Sequence, residues 1–126
     1  MCLTVLDRPT QHTRKRIGYK VVTEVSEGSY RPIYSYDYGI LFEIGKEVKA
    51  GGLDRLERVG ISLTTYHPGF HIFLNKSDAI GWERHQMFGG HKVAKVSFRG
   101  VIASGREFPT PGPIVVAKYV TLKEIV

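Results

Sequence analysis

Apolar and polar residues alternate through much of the chain, and this period of two predicts β-strands. Residues 17–25, 40–45, 70–74 and 92–100 all follow it. Residues 114–126 are apolar without strict alternation, which is typical of a strand that is covered on both faces. Together with shorter segments between these, the pattern predicts about six strands.

One segment has the features of a full helix, and residues 53–60 could form one or two helical turns. Asn75 or Ser77 is a suitable N-cap, and the carboxylate of Asp78 suits the positive end of the helix dipole. The glycine pair at 89–90 ends the segment, so we predict one main helix at about residues 76–88. Because it lies between strands and not in a repeating βαβ pattern, the sequence predicts an α+β fold with a mostly antiparallel sheet.

The length and composition predict one domain. The chain has 126 residues, of which 42% are hydrophobic, as in globular proteins. Residues 7–16 are polar and basic and include a proline. We therefore expect a single domain over residues 1–126, with residues 1–16 as an irregular N-terminal arm.

Cysteine usage and apolar runs bear on the compartment. Cys2 is the only cysteine, which excludes an internal disulfide and favours a reducing environment. Residues 1–16 lack the apolar core of a signal peptide. No apolar run approaches the roughly 18 residues of a membrane span. We expect a cytoplasmic protein without a membrane partner.

The charge balance bears on the partner. The net charge is +6 and the isoelectric point is near 9.6, a surplus that favours nucleic acid, nucleotides or acidic protein surfaces. Alternatively, the charge serves only solubility, since small soluble domains often carry a net charge of this size.

Aromatic and basic residues are interleaved in residues 29–38, SYRPIYSYDY. Such residues can stack bases and hold phosphates, although the same pattern is typical of an edge strand with aromatic cross-strand pairs. From this stretch and from the basic and histidine positions elsewhere, we select six candidate ligand-binding residues: Tyr19, Lys20, Arg31, His67, His71 and Arg99.

Catalytic and metal-binding signatures are absent. The chain has no glycine-rich phosphate loop and no GxSxG motif. His67 and His71 flank Pro68, which prevents the helix that a paired histidine metal site needs. We predict no metal, no cofactor and no catalytic residue. Cys2 is either a nucleophile activated by its own amine or a small buried apolar residue.

Several segments together resemble a family of small uncharacterised proteins of bacteriophages and prophages. The segments cover most of the chain in the same order: MCL (1–3), GYKVV (18–22), LFEIGKEV (41–48), PGFHIFLNKSDA (68–79), KVAKVSFRGVI (92–102) and VVAKYVTLKEIV (115–126). The resemblance implies a setting, a phage-encoded protein inside a bacterial cell, and no particular activity.

A fainter likeness is to ADP-ribosyltransferase folds. GFHIF followed by NKSDA resembles the place where a strand of those enzymes leads into a helix. Tyr19 and Lys20 would occupy the first-strand position where those enzymes carry a His or Arg, and Lys20 departs from that pattern. Glu107 and Glu124 are candidates for the catalytic acid by position alone.

The leading hypothesis is a non-enzymatic phage accessory protein of the bacterial cytoplasm. It would bind an anionic partner, which is a nucleotide, a nucleic acid or a host protein, and would thereby counter a host defence. Two alternatives stay open. One is an enzyme, either ADP-ribosyltransferase-like or with Cys2 as nucleophile, and the other is a structural protein of the virion. The sequence does not predict the oligomeric state.

Overall fold

The computed structural model describes residues 5–6, 17–32, 40–50, 57–58, 65–66, 69–84, 90–106 and 112–126. These residues form nine strands and one helix, in the order β1 (Val5–Leu6), β2 (Ile17–Ser26), β3 (Ser29–Pro32), β4 (Glu47–Lys49), β5 (Glu57–Arg58), β6 (Thr65–Tyr66), β7 (Phe70–Phe73), α1 (Lys76–Arg84), β8 (His91–Arg106) and β9 (Ile114–Ile125).

The coarse fold prediction is confirmed: the described chain is mostly antiparallel β-sheet with one short helix. The helix starts where the sequence predicts and is described to Arg84, while residues 85–88 of the predicted span lie outside the described residues. Of the predicted N-terminal arm, only the two residues of β1 are described.

The strand predicted at residues 40–45 is wrong. Phe42 makes a single bridge to Tyr30, and the chain then turns. The Lys46 N–H donates to the Glu43 carbonyl at 3.1 Å, and Gly45 has a φ of 87°. This turn ends the extended run, and the strand follows it at β4.

The main sheet closes into a small barrel. Its strands follow the order β1-β8-β2-β7-β9-β4, and a further pairing of β8 with β9 closes a ring of β8, β2, β7 and β9. Closure is possible because β8 and β9 have 16 and 12 residues, so each can pair with several neighbours. Strands β3 and β4 extend the ring from β2 and β9.

Strand alternation produces two cores. One set of side chains from the four ring strands packs with residues 30, 42 and 50 to form the inner core. This core consists of Val22, Tyr30, Phe42, Ala50, Phe70, Ile72, Ala94, Val96, Phe98, Val115, Ala117, Val120 and Leu122. The opposite set points outward and packs with Ala79 and Trp82 of α1. It forms the helix-side core, which consists of Val21, Phe73, Ala79, Trp82, Val93, Ala103, Ile114 and Val116.

Candidate functional site

Two of the candidate ligand-binding residues, Lys20 and His71, meet where β2 and β7 separate. The two strands are paired only at Tyr19 and Phe73 before β2 moves on to β3. Lys20 is 6% exposed, and its Nζ donates to the His71 carbonyl at 3.0 Å. The same Nζ lies 5.7 Å from the centre of the Phe70 ring. The Lys20 amine therefore donates a hydrogen bond to the main chain of β7 at the point where β2 and β7 separate.

The His71 side chain is held in its neutral form. Burial lowers the pKa of His71 to about 3, and the positive charge of Lys20 acts in the same direction. A hydrogen bond with the Gly69 main chain opposes these effects in part. The side chain of His71 is buried, as is that of Lys20, so both offer little surface to a ligand. Their role in binding stays a prediction.

Arg31 lies apart from that pair. It is exposed on β3 opposite Thr23, and Thr23 is also the partner of His91 on β8. The Thr23 hydroxyl and the His91 Nδ1 are 3.0 Å apart. His67, another candidate, lies outside the described residues.

Tyr19 is half-buried on the outer face of the barrel. It stands opposite Lys95 of β8 and packs against the helix-side core. Arg99 is far from Lys20. The residue opposite Lys20 on β8 is Ala94, and Arg99 lies five positions farther along β8, about 16 Å away in an extended strand. The structure therefore brings Lys20 and His71 together and places Arg99 elsewhere.

The Arg99 guanidinium is fixed by two neighbours. Its Nε and Nη2 donate to the two carboxylate oxygens of Glu47 at 2.6 and 3.0 Å, and its Cζ lies 3.8 Å from the centre of the Tyr119 ring. The Arg99 hydrogen bond holds the pKa of Glu47 below its ordinary value, and the same bond raises the pKa of Arg99. Both side chains stay accessible to water.

Strand register gathers further cations around Arg99. Tyr119 of β9 is the cross-strand partner of Lys49 on one side and of Arg99 on the other, so the three residues form one row on the outer face. The exposed Lys118 precedes Tyr119, and its Cβ would lie 3.2 Å from a Cβ added at Gly100 of β8, whose φ is 70°. We call Lys49, Arg99, Lys118, Tyr119 and Glu47 the Tyr119 cluster.

The Tyr119 cluster has a surplus of positive charge. It contains three cations and the single carboxylate of Glu47. Within the described ranges, the ion pairs are Arg99–Glu47 and Lys92–Glu24, and neither involves Lys49 or Lys118. Lys49 is the cross-strand partner of Tyr119 and Lys118 precedes it, so two exposed cations flank an aromatic residue in the sheet. Basic and aromatic residues in such proximity are suited to binding a nucleotide.

A second surface feature is an open groove of about 410 Å³ between α1 and the ends of β8 and β9. Its apolar residues include Ile80 and Val93, and its charged residues include Glu83, Arg84 and Lys92. Because Glu24 pairs with Lys92 at 2.9 Å and Glu83 offsets Arg84, the groove has no clear surplus of either sign.

No protein-family model, curated protein or solved structure matches the chain. Among the residues that the structure describes, no group of three or more His, Cys, Asp or Glu side chains is arranged to hold a metal ion. In the same residues, no helix is long and apolar enough to cross a membrane.

Sequence reasoning selected Arg99 and missed the rest of its cluster. Lys49 and Tyr119 are far from Arg99 along the chain, and only the pairing of β4, β9 and β8 makes them neighbours. The one available signal was the Lys118-Tyr119 pair, which interrupts the apolar run of the last strand.

Proposed function

We propose that this domain is a binding protein, not an enzyme, and that it holds a nucleotide phosphate on the Tyr119 cluster. The observation that carries the proposal is the row formed by Lys49, Tyr119 and Arg99 across three strands. The exposed Lys118, which precedes Tyr119 on β9, adds a third cation beside this row. Cations next to an aromatic ring favour a ligand that has both a phosphate and a base, either a free nucleotide or a nucleic acid.

The Arg99 guanidinium is held in a fixed position before any ligand binds. It is already stacked on Tyr119, so less side-chain freedom is lost when a phosphate binds. Glu47 occupies the hydrogen-bonding edge of Arg99 in the free protein. The first contacts of a phosphate are therefore with Lys49 and Lys118, and Arg99 joins when Glu47 is displaced.

A salt titration tests the proposal. Fluorescence anisotropy of a labelled twelve-residue oligothymidylate is measured from about 50 mM salt upward, with ATP and inorganic polyphosphate as competitors. We expect retention of the oligonucleotide at low salt. The Lys49→Gln/Lys118→Gln variant should bind more weakly, with a salt slope shallower by about 1.4, or about 0.7 for each single-strand contact.

A matched control removes the same charge elsewhere. Lys76→Gln/Arg84→Gln changes two exposed cations of α1. It should leave the slope near that of the wild type, because those residues lie outside the cluster. Equal losses in the two variants would mean that net charge alone drives binding, and no binding at about 50 mM salt removes the proposal. Competition by ATP points to a nucleotide site, whereas competition by polyphosphate alone points to phosphate without a base.

The biological setting is a separate proposal. The resemblance to small phage proteins supports action in the cytoplasm of an infected bacterium, where binding would counter a host defence. Expression of the protein in bacteria that carry a nucleotide-dependent defence should raise the plating efficiency of a sensitive phage. Plating equal to that with an empty vector contradicts this setting and leaves the binding proposal unaffected.

A further inference from the structure

A second pair of a tyrosine and a cation lies on the same outer face as the Tyr119 cluster. Tyr19 of β2 is the cross-strand partner of Lys95 on β8, and both side chains are half-buried. Residues 94, 96 and 98 of β8 belong to the inner core, so Lys95 and Arg99 are both on the opposite, outer face. The outer face of β8 therefore has one tyrosine–cation pair near each end of this stretch.

Between the two pairs, β8 and β9 carry small polar side chains on the outer face. Ser97 lies between Lys95 and Arg99, and its partner on β9 is Thr121. Both have small side chains with hydroxyl groups that can donate to sugar or phosphate oxygens. Lys95 and Arg99 are four positions apart on an extended strand, a distance of about 13 Å. At a rise of about 3.4 Å per nucleotide, that distance is about four steps, so about five nucleotides reach from one pair to the other.

We infer that the ligand is a single-stranded nucleic acid lying along β8, with one base at Tyr119 and another at Tyr19. This inference rests on the proposed phosphate-binding function of the Tyr119 cluster. A duplex buries the faces of its bases by stacking, whereas a single strand can turn successive bases onto aromatic side chains. Two separated tyrosines with cations beside them suit a single strand better than one free nucleotide.

The charges around the second pair are mixed. Glu124 of β9 is opposite Lys95, and the exposed Lys123 precedes it. The exposed Ile17 of β2 lies opposite Ser97 of β8. Phosphate attraction is therefore weaker here than at the Tyr119 cluster, and we expect stacking on Tyr19 to supply most of the gain from a longer ligand.

A length series tests the inference. Thymidine oligonucleotides of one to eight residues are titrated into the wild-type protein, a Tyr19→Leu variant and a Lys95→Gln variant. We expect the wild-type affinity to rise steeply up to about five nucleotides and then to level off. Tyr19→Leu should weaken binding of the longer oligonucleotides about 5- to 100-fold and leave the mononucleotide affinity unchanged, because one stacked base is lost.

The variants separate failure of the inference from failure of folding. Tyr19 packs against the helix-side core, so thermal unfolding of Tyr19→Leu is followed in parallel. Lys95→Gln removes a charge outside both cores and should also weaken only the longer oligonucleotides. Equal affinity of the wild type for one and eight nucleotides overturns the second contact but keeps the proposed function. Absence of binding at every length overturns both, and equal binding of a duplex overturns the preference for a single strand.

Discussion

At the residue scale, the electrostatic state of Arg99 depends on Glu47. The bidentate contact gives Arg99 a fixed position over Tyr119, and it also places a carboxylate where a phosphate would bind. The pair is exposed, so it contributes little to stability, and in the proposed function it competes with the ligand.

Replacement of Glu47 should strengthen ligand binding. Glu47→Gln keeps a side chain of the same size but removes the negative charge. We expect about fivefold tighter oligonucleotide binding at low salt, the effect of one unit charge at about 4 Å in water. Glu27→Gln, in the exposed turn between β2 and β3, is the matched control and should change little. Weaker binding by Glu47→Gln would contradict the competition between Glu47 and phosphate.

His71 gives a prediction about pH. Its folded-state pKa of about 3 lies below the ordinary value of 6.5, so below pH 6.5 the unfolded chain takes up a proton that the folded chain does not. Stability should therefore fall as the pH drops from 6.5 toward 3, by up to about 1.4 kcal/mol per pH unit from this residue.

Denaturant unfolding at a series of pH values measures that slope. A His71→Gln variant removes the titrating group and should show a flatter dependence over the same pH range, whatever its absolute stability. An unchanged slope in His71→Gln would assign the effect to other groups. In NMR titrations, the ring signals of His71 should stay constant between pH 5 and 8.

The residue types of the candidate site were predictable from the sequence, but their exposure was not. Lys20 and Arg99 both occupy strands with alternating residues. Lys20 faces the inner core and caps a carbonyl, whereas Arg99 faces water. The side of a strand that is buried depends on how the barrel closes, and the local sequence does not contain that information.

At the element scale, strands and the helix followed from local rules. Period-two alternation located β2, β7 and most of β8, and the capping residues located the start of α1. The strand predicted at 40–45 failed because alternation cannot reveal a turn that Gly45 makes possible. Tertiary pairing then placed the strand a few residues later, at β4.

Two glycines test the packing of these elements. A Cβ at Gly18 would lie 2.5 Å from the Ile72 Cγ2 and 2.8 Å from the Phe73 carbonyl oxygen, where β2 and β7 approach each other. Gly18→Ala should therefore lower the free energy of unfolding by about 1–3 kcal/mol. A Cβ at Gly81, within α1, would meet nothing within 4 Å, so Gly81→Ala should raise it by up to about 1 kcal/mol.

Urea denaturation of both variants measures the two changes. A loss of unfolding free energy in Gly18→Ala together with a gain in Gly81→Ala supports the close approach of β2 and β7. A neutral or stabilising Gly18→Ala would mean that the two strands are farther apart at this point.

At the scale of the whole molecule, closure of the barrel creates the candidate site. β9 pairs with β4, β7 and β8, and it thereby brings together residues that are 20 to 70 positions apart, such as Lys49, Arg99 and Tyr119. The net charge of +6 predicted an anionic partner but not its location. The fold class could be predicted because it depends on local periodicity, whereas the site depends on long-range register.

The central claim is that a phosphate-bearing ligand binds the outer face of β4, β8 and β9. Amide chemical-shift mapping of the protein with an oligothymidylate tests it most directly. We expect the largest shifts at Lys49, residues 95–100 and residues 118–121, with little change in α1 or around Arg31. Shifts centred on the groove beside α1, or no shifts at about 50 mM salt, would contradict it.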